Sequence, residues 1–421
     1  MTENLTLEQE LQLEAVAEAE GEQPSATQEA IFESTQPVGI QLTPEQQTRL
    51  EILQQQESEA LQPPPSQTPG FEPDLQVPTT DSTISGLNRI IGTPNGETII
   101  GTDINDNIIA LGGDDEIFGQ AGDDIISGGG ENDVIEGNAG VDLIFGDYSA
   151  SENSSLIGSG NDTIYGNEGD DILYGQDRED TIYGGDGNDY AEGGDGNDLV
   201  YGNQGEDTLY GDSFEGEPFS TVGGDDTVIG GGGNDKVYGG KGNDILEGNQ
   251  GSDELTGGQG NDELKGGRGK DKLIGTDTDF FGRSELGFGF GERDTLTGGR
   301  DNDTFVLGLA EANGRDENGN DVVIQDVVLY NNSNIDSNGI GDYALITDFG
   351  FVGDGVIRGA DKIQLAGSES MYSLGTSPID NISGTAIFLN EGQNTSELIA
   401  LVQEISVETL SLNDTTQFVF V

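Results

Sequence analysis

An aspartate returns every nine residues through the middle of this chain, and its surroundings return with it. The phrase reads glycine, any, any, glycine, any, aspartate, any, aliphatic, any. Gly184-Gly185-Asp186-Gly187-Asn188-Asp189-Tyr190-Ala191-Glu192 is one copy, and Gly193-Gly194-Asp195-Gly196-Asn197-Asp198-Leu199-Val200-Tyr201 follows directly. In register, the aspartate position holds Asp106, Asp115, Asp124, Asp133 and Asp142, then Asp162, Asp171, Asp180, Asp189, Asp198 and Asp207. A third run holds Asp226, Asp235, Asp244, Asp253, Asp262 and Asp271, and Asp294 and Asp303 close the array. A carboxylate beside a glycine loop with open carbonyls is suited to a hard cation bound through oxygen. Calcium accepts six or more oxygens in a flexible shell, whereas magnesium demands stricter octahedral geometry and keeps its waters.

Other chemistries are closed by composition. The 421 residues contain no histidine and no cysteine. That removes serine–histidine triads, HExxH zinc sites, thiol nucleophiles, disulfides and thiolate metal sites. A formal net charge of −66 disfavours nucleic acid and anionic membrane surfaces, both of which select for lysine and arginine clusters. No apolar run is long enough to span a bilayer. Only 32% of residues are hydrophobic, which with this charge usually means disorder unless bound cations hold a repeat together.

The positioning elements follow from the period. Two copies make eighteen residues, one coil with two loops and two short strands. The aliphatic position holds Ile108, Ile117, Ile126, Ile135 and Ile144, then Ile164, Leu173, Ile182, Val200 and Leu209. Turned inward, these make two facing columns between parallel sheets, each burial contributing roughly 1.5–3 kcal/mol before entropy. Stacking brings equivalent aspartates to roughly 5 Å, where bare carboxylates repel by about 1–3 kcal/mol per pair. A core this thin needs the cation to reverse that sign.

Around the repeats, residues 1–87 read as an acidic, Gln/Pro-rich disordered arm with a short helix over about 43–61, started at Thr43-Pro44 and ended by Pro63-Pro64-Pro65. Residues 88–306 form the array, opened by a copy at Gly92 with Glu97 in the aspartate position. Insertions near Asp147–Leu156, Asp212–Ser220 and Thr276–Phe288 should bulge from turns without breaking the stack. Residues 307–421 read as a β-rich cap, with strands at Asp342–Phe349, Asp361–Leu365 and Gly384–Leu389, a helical turn near Glu397–Val402 and an apolar end. A tyrosine stripe (Tyr165, Tyr174, Tyr183, Tyr201, Tyr210, Tyr238) reads as strand-favouring aromatics, with sugar stacking as the other use.

These repeats resemble the RTX (repeats-in-toxin, haemolysin-type) calcium-binding proteins, whose nonapeptide is a recognised repeat signature. The resemblance covers about half the chain. It implies an all-β fold: a right-handed parallel β-roll in which multiple Ca2+ ions bridge successive loops through the aspartates named above, with a C-terminal β-rich cap. It also implies a secreted protein exported by a one-step (type I) exporter that reads an uncleaved C-terminal signal. The N-terminus, Met1-Thr2-Glu3-Asn4-Leu5-Thr6, lacks a basic start and apolar core, so no cleavable signal is expected.

Arg178 departs from the pattern by replacing the loop glycine before Asp180. Val141 precedes Asp142, Glu292-Arg293 precede Asp294, and Lys236, Lys270 and Lys272 put positive charge near later loops. The resulting expectation is an extracellular or cell-surface calcium-binding protein that folds on binding, with a structural, surface-layer or adhesive role and no catalytic residues or organic cofactor. A glycan or protein at the cell surface is the expected partner class. The competing reading is an RTX-family polysaccharide-active enzyme or accessory module using paired carboxylates.

Overall fold

The computed structural model describes residues 87–147, 159–212, 223–276, 292–315, 321–330, 343–349, 351–352, 356–357, 361–390 and 396–421. The arm up to residue 86, its helix over 43–61 and most of each insertion lie outside these.

Successive strands of the repeat region join alternate sheets. One sheet has thirteen strands and the other fourteen, and every pairing within the array is parallel. The strand Thr181–Asp186 shows why. Ile182 and Gly184 turn inward while Thr181 and Tyr183 face out, the two-residue period of a strand with one buried face. Ile182 stands opposite Ile164 on one side and Val200 on the other, each one eighteen-residue coil away. The chain therefore winds a parallel β-roll, crossing between sheets at each glycine loop. The loops turn through left-handed residues such as Gly185 (φ 128°) and Gly187 (φ 149°), where a side chain would be strained.

The ladder continues across all three insertions. Val134 pairs with Thr163, Leu199 with Thr227 and Glu263 with Thr295, so the stack is unbroken on either side of the extra residues.

The core is two columns of one side chain per strand. Ile126, Ile144, Leu173, Ala191, Leu209, Val237 and Leu255 line one sheet, and Ile117, Ile135, Ile164, Ile182, Val200, Val228 and Leu246 line the other, all without solvent exposure. On the outer faces, aromatics stack. Tyr165, Tyr183 and Tyr201 lie at 4.9 Å centroid spacing with planes within 5° of parallel. Rings stacked this way use their faces on one another and present edges outward, which favours a strand-stabilising role over a platform for sugar rings.

Beyond Val306 both sheets continue into the cap. One gains the parallel strands Lys362–Leu365 and Phe418–Phe420. The other gains Tyr343–Ile346 and Ser396–Gln403 in parallel, then Gly384–Asn390 and Tyr372–Thr376 antiparallel. A hairpin, Gly308–Arg315 with Asp321–Val328, follows the last repeat. The helical turn expected over Glu397–Val402 is a strand. Leu398 to Val402 are buried in succession, covered on both faces, and a continuous apolar run of that length has no periodicity that separates strand from helix. The only described helix is the short 3-10 turn Glu369–Met371, and none is long and apolar enough to cross a membrane.

Candidate metal centre

All nineteen expected aspartates are buried. They stand at the two crossings between sheets and form two columns. The first, read by carboxylate-to-amide contacts, runs Asp106, Asp124, Asp142, Asp171, Asp189, Asp207, Asp235, Asp253, Asp271, Asp303. The second runs Asp115, Asp133, Asp162, Asp180, Asp198, Asp226, Asp244, Asp262, Asp294. In each step the backbone amide of one aspartate donates to Oδ1 of the next. Asp171 N to Asp189 Oδ1 is 2.9 Å, and Asp189 N to Asp207 Oδ1 is 2.8 Å.

The second oxygen is treated differently. Every column aspartate except Asp106 and Asp294 buries an Oδ2 that accepts no hydrogen bond. A buried charged oxygen without a partner is costly, and a row of them is a row of unanswered ligands. Each except Asp115, whose repeat opens with the buried Ala110, faces a glycine that opens its own repeat. A Cβ on Gly184 would stand 2.3 Å from Asp189 Oδ2 and 2.8 Å from the carbonyl oxygen of Gly202, one coil on. Gly119, Gly166 and Gly202 repeat the arrangement with Asp124, Asp171 and Asp207. At these positions a side chain would fill an oxygen-lined cradle.

The electrostatics agree. Burial pushes Asp124 up to about 7, Asp189 to about 8, and Asp180 and Asp226 to about 9, with the neighbouring carboxylates adding to the rise and the backbone amide at Oδ1 opposing it. Without a cation these groups hold protons near neutral pH. No group of three or more acidic side chains suited to hold one metal ion occurs among the described residues, and the carbonyl oxygens lining the cradles offer further ligands. A donor set of carboxylate and carbonyl oxygens fits calcium.

The profile of the RTX calcium-binding nonapeptide repeat matches residues 91–126, 100–135, 118–147, 158–182, 183–214, 220–255, 247–277 and 288–309. The chain is an RTX calcium-binding repeat protein. Its repeats bind several Ca2+ ions, and its matched segments lapse where the insertions leave the RTX roll. No curated protein matches the chain.

The irregular copies keep the RTX register. Arg178 adopts φ 85° where glycine is usual, yet Asp180 still accepts from Asp162 N at 2.7 Å. Asp142 accepts from Asp124 N at 2.8 Å despite Val141. Lys272 pairs with Glu254 on the outer face, directing its charge away from the column. Glu97 takes the aspartate position of the first copy: its amide donates to Asp115 Oδ1 at 2.8 Å and its carboxylate accepts from Thr93 N.

Four acidic residues belong to this architecture but not to the expected set. Asp361 extends the first column, accepting from Asp303 N at 3.0 Å. Gly359-Ala360-Asp361-Lys362-Ile363 is the second half of the nonapeptide and could have revealed it. Asp147, Asp212 and Asp348 instead hold backbone amides where regular stacking is interrupted. Asp147 takes Gly160 N and Asp177 N, Asp212 takes Gly224 N and Lys241 N, and Asp348 takes Gly298 N and Gly299 N. Asp147 and Asp212 directly follow a repeat glycine at the start of an insertion, a signal visible in the sequence.

Proposed function

We propose that this protein is a secreted, calcium-folded structural or adhesive element of the cell exterior, and that its ligands are the column aspartates other than Asp106 and Asp294. The carrying observation is the row of buried, unpartnered Oδ2 atoms, all but that of Asp115 beside a glycine cradle. Calcium supplies positive charge at each cradle. The chain supplies the carboxylate, the carbonyl of the next coil and an amide at Oδ1 that fixes the carboxylate's orientation. Binding and folding are then one event, because two loops must be stacked before a cradle exists.

The extracellular assignment rests on affinity. Extracellular calcium modules bind at about 0.1–1 mM, and at such an affinity the roll stays unfolded at cytosolic calcium and folds where calcium is abundant. The acidic outer surface and the stacked, edge-out tyrosines suit a scaffold or coat. The test is a far-UV circular dichroism titration of chelated protein with calcium, repeated with magnesium. A cooperative rise in β signal near millimolar calcium and not in magnesium is expected. A spectrum already β-rich in chelator, unmoved by calcium, would overturn the reading.

A further inference from the structure

The second column breaks its own pattern at its last member. From Gly128 to Gly257, every glycine cradle of that column faces both its aspartate Oδ2 and the glycine carbonyl of the next coil. At Gly257 these are Asp262 Oδ2 and Gly275 O. At Gly275 the carbonyl is replaced. The nearest atom to a Cβ there would be the hydroxyl of Tyr330, with Asp294 Oδ2 beside it. That hydroxyl donates to Asp294 Oδ2, the oxygen left unpartnered in the preceding members of the column from Asp115 to Asp262.

Tyr330 is delivered there by the fold. It is fully buried in the main core, immediately after Leu329, whose amide donates to Leu307 O at 3.0 Å and closes the hairpin that follows the last repeat. A buried phenol needs a hydrogen-bond partner, and a buried carboxylate needs a donor or a cation. Here each satisfies the other. The donor's proton and a cation would compete for the same carboxylate oxygen, and the ring leaves no room for both. The opposite end of the other column is closed in the same spirit. Asp106 Oδ2 accepts from Thr102 N at 2.5 Å and Thr102 Oγ1 at 3.0 Å.

We propose that Tyr330 is a built-in substitute for the ion at the last position of its column: Asp294 binds no calcium, and the final coil is sealed to the cap by protein donors. This rests on the aspartate assignment above and adds that the array is deliberately one ion short where it meets the cap.

Native mass spectrometry of the full chain in calcium counts the ions. Asp189→Asn should lose at least one ion, Asp294→Asn none, and Tyr330→Phe should gain one as Asp294 Oδ2 joins the unpartnered set. Hydrogen exchange in chelator gives a second readout that needs no bound ion. The amide of Asp262, which donates to Asp294 Oδ1 at 2.9 Å, should exchange slowly in the natural chain and at least tenfold faster in Tyr330→Phe. Loss of an ion in Asp294→Asn, or unchanged count and exchange in Tyr330→Phe, overturns the proposal. If Asp189→Asn loses no ion, the aspartate assignment itself fails and this inference falls with it. Should Tyr330→Phe not fold, the Asp294→Asn count decides.

Discussion

A coil of the roll and a strand of the cap reach stability by different routes. The coil holding Thr181–Asp186 and Tyr190–Asp195 buries Ile182 and Ala191 in its core, together with the unpartnered oxygens of Asp189 and Asp198. The cap strand Ser396–Gln403 buries Leu398, Ile399, Ala400, Leu401 and Val402 in succession, between a parallel and an antiparallel neighbour. At roughly 1.5–3 kcal/mol per large aliphatic side chain, the eight-residue strand gains more from apolar burial than the eighteen-residue coil. Ordering costs scale with residues fixed, about 1–2 kcal/mol each for the backbone. Per residue ordered, the coil therefore recovers far less than the cap strand and leans more heavily on its ions.

The strongest way to break that contrast is to remove calcium. Chelation should abolish protection over Thr98–Gln259 in hydrogen exchange, while the final coil held by Tyr330 and the sheet formed by Tyr372–Thr376, Gly384–Asn390 and Ser396–Gln403 keep slow amides. Equal loss in both regions would mean the cap depends on ions as much as the roll.

Acidification should partly replace the ions. Burial raises the column carboxylates from Asp115 to Asp303 in the calcium-free folded state from 3.8 to between about 6 and about 9. The folded form therefore binds more protons than the unfolded one, and the associated stability is complete below about pH 4 and lost as pH rises through 6 to 9. In chelator, β signal should appear on titration from pH 8 to pH 4. With calcium present the dependence reverses, because protons compete for the same oxygens. A chelated roll insensitive to pH would remove burial as the source of the calcium requirement.

Core truncation sharpens the comparison at single residues. Leu255→Ala and Leu401→Ala should each cost about 2–5 kcal/mol in calcium. In chelator only Leu401→Ala should still be felt, as a lower denaturation midpoint of the cap. Gly184→Ala acts more locally. Its Cβ would collide with Asp189 Oδ2, so it should weaken calcium binding and broaden the folding transition, measured by the same titration in calcium. The smallest effect belongs to the outer face. Tyr183→Ala removes two stacked contacts and should lower stability by about 0.5–1.5 kcal/mol with ion count unchanged.

The roll was legible because its information is local. Asp189 and Ile182 are assigned by residue type and a nine-residue spacing, and the structure puts every expected aspartate in one of two columns. What escaped was information carried across distance. The Tyr330–Asp294 contact spans 36 residues, and nothing about Tyr330 in its own stretch of sequence marks it as a column terminator. Asp348 reaches the amides of Gly298 and Gly299 across a hairpin. The strand at Ser396–Gln403 was misread because burial on both faces erases alternation. Asp361 was within reach through half a nonapeptide at Gly359–Ile363, as were Asp147 and Asp212 through the repeat glycine before each.

The eighteen-residue winding has a mechanical consequence. Each coil is hydrogen-bonded only to the coils above and below it, so tension on the amino-terminal end loads one coil at a time. Force would peel the stack coil by coil, with longer steps where the three insertions lie, each releasing one loop pair and its ions, and the force plateau would be set by free calcium. Such a chain behaves as an extensible tether that rewinds when the load falls.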